Sequence, residues 1–281
     1  TWADRTGVVP VAAFTISKLA WVRDHEPHLL PRARRLLLPH DYLTLRLTGA
    51  AATDRSEASG TGWFDPQSAH WQTDLIDLID PGHDWAALLP RVLGPRDTAG
   101  ELSAGAAAAV GAAPGTPVGP GCNDNAATAL GLGVRPGDVV VSLGTSGTVF
   151  TPSARPVRDP TGAVDGNADA TGAYLPLVCT LNAGKVLDWA CRLLGVDHAG
   201  LAALALRGRP APDRPVLLAY LDGERTPDRP DAGGVLAGLR TADGPEELAR
   251  AAYEGILLGL VAGLDALRRS GAAPDGRVLL A

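Results

Sequence analysis

The chain predicts an α/β fold with mixed sheets, because helix and strand patterns alternate along its 281 residues. Three observations favour this class. The stretch 243–271 has the pattern of a long amphipathic helix, with Pro245 in its first turn and Gly271 after its end. The stretch "VVVSLGTSGTVF" (139–150) has two apolar runs around a glycine turn, which is typical of a hairpin. Hydrophobic residues make up 46% of the chain, enough for a sizeable core.

The first half of the chain is predicted to alternate helices with short strands and loops. Pro27 and Pro31 interrupt an opening helix, and Asp41 is expected to cap a second helix that Gly49 closes. The polar stretch 53–65 is expected to be a loop. We expect a short strand or its approach at 36–38, helices over 71–79, 85–93 and 100–112, and a strand, loop and helix over 115–134.

The second half is predicted to begin at the break formed by Pro136 and Gly137, the expected domain boundary. The expected domains are therefore 1–135 and 136–281. After the hairpin we expect a loop over 151–172, a helix over 181–195, a buried strand leading into a polar loop over 214–234, the long helix and a final strand.

Composition excludes several classes of protein. The net charge of −6 argues against a nucleic-acid-binding surface, and no apolar run is long enough to cross a membrane. The three cysteines are widely spaced, which suits a reducing cytoplasm and neither a disulfide framework nor a zinc site. The six histidines are scattered, so no metal-ligating residues are predicted.

The glycine turn (residues 144–147) has two interpretations. Gly144 and Gly147 let the backbone turn tightly and present its N–H groups, while Thr145 and Ser146 add hydroxyl donors. Such a turn can bind phosphate oxygens without a cation of its own. The alternative is a plain β-hairpin turn, and these residues alone favour that alternative.

Asp124, in "GCNDNAATALG" (121–131), lies where a glycine-containing loop enters a helix expected to start near Asn125 or Ala126. One interpretation is an N-cap that accepts backbone N–H bonds. The other is a general base that takes a proton from an alcohol during phosphoryl transfer, with Asn125 bonding the same polyol. Asp124 as a base and the glycine turn as a phosphate site would lie on either side of the expected domain boundary. That arrangement is typical of an active site in an interdomain cleft.

Other polar residues are interpreted as structural. Lys18 and Trp21 are expected to pack on a helix. Glu224 and Arg225 are expected to form an ion pair that braces a loop near the interdomain cleft, with direct substrate contact as the alternative. Lys185 is expected to be a solvated helix residue, with phosphate contact as the alternative.

Four stretches resemble the FGGY family of carbohydrate kinases, and the resemblance spans nearly the whole chain. "FTISKLAWVRDHEP" (14–27) is similar to the family's first signature, and "GGVLAGLRTADGPEELARAAYEG" (233–255) to its second. "GCNDNAATALG" and "LDGERTP" (221–227) resemble the segments of members that act on xylulose.

The resemblance implies a two-domain, actin-like ATPase (ribonuclease H-like) fold with an interdomain cleft. It implies Asp124 as catalytic base, Asn125 as a sugar contact, and Gly144, Thr145, Ser146 and Gly147 as the nucleotide phosphate loop. Residues 1–135 would be the later part of a sugar-binding domain and 136–281 the earlier part of a nucleotide-binding domain. The family's first phosphate loop and adenosine-binding glycines are missing, so we expect a chain truncated at both ends.

The activity implied is transfer of the γ-phosphoryl of ATP, with Mg²⁺, to the C5 hydroxyl of D-xylulose. Alternatives are another ketose or polyol, such as ribulose, glycerol or gluconate, or a non-catalytic sugar- or nucleotide-binding module. The expected partners are the sugar and ATP, with no nucleic acid and no membrane. Family members often form dimers, so a homodimer is a further expectation.

Overall fold

The computed structural model describes residues 1–281 and divides into two compact units. Unit 1 comprises Thr1–Pro136 with Pro152–Pro176, and unit 2 comprises Gly137–Thr151 with Leu177–Ala281. Helices alternate with strands in parallel and antiparallel pairs, so the predicted α/β class with mixed sheets is confirmed.

Unit 1 has eight short α-helices and a 3₁₀-helix over Pro27–Arg32. The α-helices are α1 (Trp2–Thr6), α2 (Thr15–His25), α3 (Pro39–Thr48), α4 (Arg55–Ser59), α5 (Thr73–Asp77), α6 (Trp85–Leu88), α7 (Ala104–Val110) and α8 (Asp124–Gly131). Gly49 ends α3 with a φ of 79°, as the sequence predicts. Asp41 is not the N-cap residue of α3, because the helix begins at Pro39 and Leu38 is the N-cap. Asp41 does contribute to capping, because its carboxylate accepts the Leu38 N–H at 2.9 Å from within the first turn.

The strands of unit 1 form small pairs. Strand β1 (Ala52–Asp54) lies parallel to β4 (Arg91–Leu93), while β2 (Phe64–Asp65) with β3 (His70–Trp71) and β5 (Gly100–Glu101) with β6 (Pro117–Val118) are antiparallel. The helix expected over 85–93 therefore ends early. Pro90 disfavours a helical conformation in the residue before it, and the next three residues pair with β1. The strand expected at 36–38 does not form.

The apolar core of unit 1 lies around Trp63, Ile76 and Val8, each at most 1% exposed. Helix α2 contributes Ile16 and Leu19 to this core.

The largest sheet has five strands in the order β13, β7, β8, β10, β9. These strands are β7 (Val139–Leu143), β8 (Gly147–Phe150), β9 (Asp165–Ala168), β10 (Tyr174–Thr180) and β13 (Val278–Leu280). The predicted hairpin is confirmed, because β7 and β8 are antiparallel with Leu143 opposite Gly147. Strand β13 is parallel to β7, which makes the sheet mixed. The expected loop over 151–172 is corrected, because its last part forms β9.

Unit 2 adds three helices, α9 (Gly184–Leu194), α10 (His198–Arg207) and α11 (Pro245–Arg269), and an antiparallel pair, β11 (Val216–Leu218) with β12 (Val235–Ala237). Helix α11 is the long helix that the sequence predicts. It packs on the sheet at Gly263, where an added Cβ would lie 3.1 Å from Val178 Cγ1. The helix approaches the sheet closely here, and an added Cβ would require the Val178 side chain to shift by a few tenths of an ångström.

No single helix has the length and apolar character that a membrane crossing requires. The pair α9 and α10, bent by 86°, passes the same test only when the two helices are joined.

Candidate active site

Asp124 is the first residue of α8, and its side chain is exposed. The N-cap interpretation of Asp124 is wrong, because Asn123 is the cap and its Oδ1 accepts the Ala126 N–H at 2.8 Å. Asp124 Oδ1 accepts hydrogen bonds from the backbone N–H of Asn125 at 2.8 Å and from its side-chain amide at 3.0 Å. An exposed carboxylate thus lies at the positively polarised end of a helix, in contact with the amide of Asn125.

The Asp124 loop (residues 121–124) is bound to α4 by hydrogen bonds. The backbone N–H of Asn123 donates to Ser56 Oγ at 2.9 Å, and Asn123 Nδ2 donates to the Ser56 carbonyl at 3.0 Å. Ser56 Oγ in turn donates to Asp54 Oδ1. The two partners of Asn123 are therefore on one residue that lies 67 positions earlier in the chain.

Asp54 is the N-cap of α4. Its Oδ1 accepts the N–H of Ser56 at 2.7 Å and that of Glu57 at 3.3 Å. Asp54 and Ser56 are both buried. Because Ser56 also accepts from Asn123, one continuous set of hydrogen bonds joins the start of α4 to the start of α8.

His40, on α3, contacts the other end of the Asp124 loop. Gly121 has a φ of +77°, and a Cβ added there would lie 2.0 Å from His40 Nε2. Glycine suits this position because its backbone is left-handed, and because a side chain there would force the His40 imidazole to shift. His40 Nδ1 lies 3.2 Å from Asp41 Oδ1.

Charged side chains surround this loop within unit 1. Burial raises the pKa of Asp54, and hydrogen bonds from Ser56 and Glu57 oppose that rise. Burial also raises the pKa of Glu57, His40 lowers it, and the charges of Asp54, Asp41 and Asp124 raise it further.

The pKa of His40 is itself raised. Its hydrogen bond to Asp41 is the largest cause, burial opposes the rise, and the charges of Asp54 and Glu57 add to it. Burial and the charges of Asp54 and Glu57 also raise the pKa of the nearby Cys122 thiol. The residues around the Asp124 loop are therefore mostly acidic, and they favour the protonated form of the His40 imidazole.

Asp54, Ser56, Glu57 and His40 were not predicted from the sequence as site residues. A signal was present, because Asp-x-x-Glu at 54–57 is a helix N-terminus pattern in a stretch assigned to a loop. The connection of that helix to Asp124 had no local signal.

In unit 2, the glycine turn connects β7 to β8. The Gly144 N–H donates to the Ser146 carbonyl at 3.0 Å, and Gly144, Thr145 and Ser146 are all exposed. Gly147 is buried, and an added Cβ would lie 2.8 Å from Leu260 Cδ2 and 2.9 Å from Thr180 Oγ1. The turn thus presents two hydroxyl side chains outward while its last glycine packs tightly inward.

The start of α9 packs directly behind this turn. The Gly184 N–H donates to the Gly144 carbonyl at 2.8 Å, and the Lys185 and Ala183 N–H groups donate to the Thr145 carbonyl at 3.4 and 3.3 Å. A Cβ on Gly184 would lie 2.7 Å from the Gly144 oxygen. Backbone groups therefore fix the position of the turn.

Glu224 braces the segment before α9 through hydrogen bonds to residues 181 and 182. Its buried carboxylate accepts the N–H groups of Leu181 at 2.6 Å and Arg225 at 2.7 Å, and Asn182 Nδ2 at 2.8 Å. Lys185 is not simply solvated, because its Nζ lies 3.3 Å from Asp222 Oδ2.

Comparison with family models finds two matches. The N-terminal domain of the FGGY family of carbohydrate kinases matches residues 2–131, and the C-terminal domain of the same family matches residues 139–280.

Curated and solved relatives agree with these matches. The chain is 45% identical over 282 residues to the xylulose kinase of Streptomyces rubiginosus, covering 99% of this chain and 55% of that protein. The chain therefore spans about half the length of the curated relatives it matches.

Two crystal structures are similar over 99% of this chain. The xylulose kinase of Bifidobacterium adolescentis matches with a TM-score of 0.86 and 39% identity, over 60% of its own chain. That of Rhodospirillum rubrum matches with a TM-score of 0.89 and 30% identity, over 57% of its own chain. The fold expected from the sequence, a two-domain actin-like α/β class, is the fold of these carbohydrate kinases and is confirmed.

Proposed function

We propose, since this chain belongs to the FGGY family of carbohydrate kinases, that it supplies the general base and a nucleotide phosphate turn for phosphorylation of D-xylulose to D-xylulose 5-phosphate by ATP. The observation that carries this proposal is the identity to xylulose kinases across both family domains. No observation favours ribulose, glycerol, gluconate or a non-catalytic module over xylulose.

In this proposal Asp124 is the general base. Its carboxylate accepts the proton of the C5 hydroxyl as that oxygen attacks the γ-phosphorus of ATP. The new O–P bond forms, the bond from the γ-phosphorus to the β–γ bridging oxygen breaks, and ADP leaves. Support comes from the exposure of Asp124 at a helix start and from its contact with Asn125, which we propose as a sugar contact.

The glycine turn is proposed to bind the nucleotide phosphates through Gly144, Thr145, Ser146 and Gly147. Support comes from the exposed hydroxyl side chains and from the backbone contacts that hold the turn against α9. Mg²⁺ would enter bound to ATP and neutralise charge that develops on the transferred phosphoryl group.

The domain roles are proposed in the same way. Residues 1–135 would contribute sugar binding and the base, and residues 136–281 nucleotide binding. A homodimer is a further proposal, which sedimentation of the full-length protein at several concentrations would test.

The test of the base is Asp124→Asn in the full-length protein. Loss of a general base should lower kcat with D-xylulose by about 10²–10⁴-fold while ATP binding persists. Coupled detection of ADP gives the rate, and calorimetric titration with ATP gives the affinity. Asp77→Asn is the matched control, because Asp77 is an exposed carboxylate on another unit 1 helix.

Two results would contradict the proposal. Activity retained in Asp124→Asn would remove Asp124 from the role of base. A higher kcat/KM for ribulose, glycerol or gluconate than for D-xylulose would change the substrate and leave the base in place.

A further inference from the structure

We propose that Ser56 is a positioning residue for Asp124, acting through the hydrogen bonds that join the start of α4 to the start of α8. The proposal rests on the proposed function, because it gives Ser56 a consequence for the step in which Asp124 takes a proton.

Ser56 holds the residue next to Asp124 at two points. Its hydroxyl accepts the Asn123 N–H at 2.9 Å, and its carbonyl accepts Asn123 Nδ2 at 3.0 Å. The remaining oxygen of that amide caps α8 by accepting the Ala126 N–H. Both ends of the Asn123 side chain and its backbone N–H are thus engaged, which leaves the residue before Asp124 little freedom to rotate.

Ser56 is itself fixed by Asp54. The Ser56 hydroxyl donates its proton to Asp54 Oδ1, so its lone pairs remain available to accept from Asn123. Ser56 is 0% exposed and Asp54 is 4% exposed. Removing the Ser56 hydroxyl would leave the Asn123 N–H without its acceptor. Because Ser56 and Asp54 are buried, water has little access to take the place of the missing hydroxyl oxygen.

The chemical consequence follows from geometry. A general base works only when its oxygen lies within hydrogen-bond reach of the proton that it removes. A displacement of about 1 Å can cost a factor of about 10² in rate. Release of Asn123 would let the first residue of α8 move, so loss of the Ser56 hydroxyl should act on kcat.

Ser59 offers a matched comparison on the same helix. It is 1% exposed, its hydroxyl donates to the Arg55 carbonyl at 2.8 Å, and it accepts the Ala168 N–H at 3.0 Å. Both serines are thus buried and accept a backbone N–H from a distant segment, but the bond of Ser59 leads to β9. A purely structural effect would be similar for the two hydroxyls.

The experiment compares Ser56→Ala with Ser59→Ala in the full-length protein. We expect kcat with D-xylulose to fall about 10–100-fold in Ser56→Ala, with KM for ATP unchanged, because Asp124 loses its position. Ser59→Ala should keep kcat within about twofold. Its thermal midpoint should fall about as much as that of Ser56→Ala, since each variant loses one donated and one accepted hydrogen bond of a buried hydroxyl. Equal losses of kcat in the two variants, or full kcat in Ser56→Ala, would overturn the proposal.

A double-mutant cycle gives the second measurement. When Asp124→Asn has removed the base, adding Ser56→Ala should change the residual kcat by less than about twofold. The same fold-loss in both backgrounds would show that Ser56 acts independently of Asp124 and would overturn the proposal. Activity retained in Asp124→Asn alone would instead contradict the proposed function.

A milder variant keeps the test informative if Ser56→Ala fails to fold. Ser56→Cys is close in size, and its sulfur is a weak acceptor. It should fold and lower kcat by a smaller factor than the alanine variant, whereas unchanged kcat would contradict the proposal.

Discussion

The Asp124 loop in unit 1 and the glycine turn in unit 2 are held in place by different kinds of contact. Side chains hold the Asp124 loop, through Ser56, Asn123 and His40. Backbone groups hold the glycine turn, because the N–H groups at the start of α9 donate to the carbonyls of Gly144 and Thr145.

The difference shows which substitutions each region should tolerate. A loop held by side chains should lose its geometry when a side chain is shortened. A turn held by backbone contacts should tolerate shortening and fail when a Cβ is added, because glycine permits the close approach of two segments. The substitutions below test this contrast, in order of decreasing expected effect.

The largest loss of stability is expected from Gly184→Ala. The added Cβ would lie 2.7 Å from the Gly144 oxygen, and a backbone carbonyl cannot move aside without moving the turn. Overpacking of this kind should lower the free energy of unfolding by about 1–3 kcal/mol, measured by urea denaturation. We also expect a higher KM for ATP.

The control is Gly259→Ala, in the interior of α11, where an added Cβ meets nothing within 4 Å. That change should stabilise the protein by roughly 0.5–1 kcal/mol, because alanine is the better helix former. Destabilisation of the two variants by the same amount would argue against backbone contacts as the cause.

A smaller loss of stability is expected from Asn123→Ala, which removes the cap of α8 and the side-chain hydrogen bond to the Ser56 carbonyl. Loss of an N-cap costs about 0.5–2 kcal/mol, and kcat should fall with it. The matching truncation in the turn is Ser146→Ala, which should change the free energy of unfolding by no more than about 0.5 kcal/mol because Ser146 is exposed. A larger loss of stability in Ser146→Ala than in Asn123→Ala would contradict the contrast between the two regions.

The smallest effect is a pH dependence of stability that arises from Glu57, on the helix α4 to which the Asp124 loop is bound. Burial raises the pKa of Glu57 in the folded state, so this group binds protons more tightly in the folded chain than in the unfolded chain. Its contribution to stability is present below its ordinary pKa of 4.5 and is lost as pH rises through the folded value. Glu57→Gln should therefore raise the thermal midpoint at pH 7.

The gain from Glu57→Gln should disappear below pH 4.5, where the wild-type carboxyl is protonated in both states. Melting curves of the two proteins between pH 3.5 and pH 8 measure the difference. A constant difference across that range would exclude titration of Glu57 as its origin.

Local pattern predicted much of the fold correctly. The hairpin of β7 and β8, the capping glycine at 49 and the helix α11 all follow from residues close together in the chain. Prediction failed where partners are distant. The residues after Pro90 form β4 because β1 lies beside them, and the late part of the predicted loop 151–172 joins a sheet as β9.

The sequence by itself predicted the family, the glycine turn between β7 and β8, and the place of Asp124 near a helix start, because each depends on residue types at short spacing. Only the tertiary structure decided that Asn123 is the cap and that Ser56 and His40 contact the Asp124 loop. The physical reason is separation along the chain. A hydrogen bond between residues 67 positions apart imposes no periodicity on either segment, so it is defined only when packing brings the segments together.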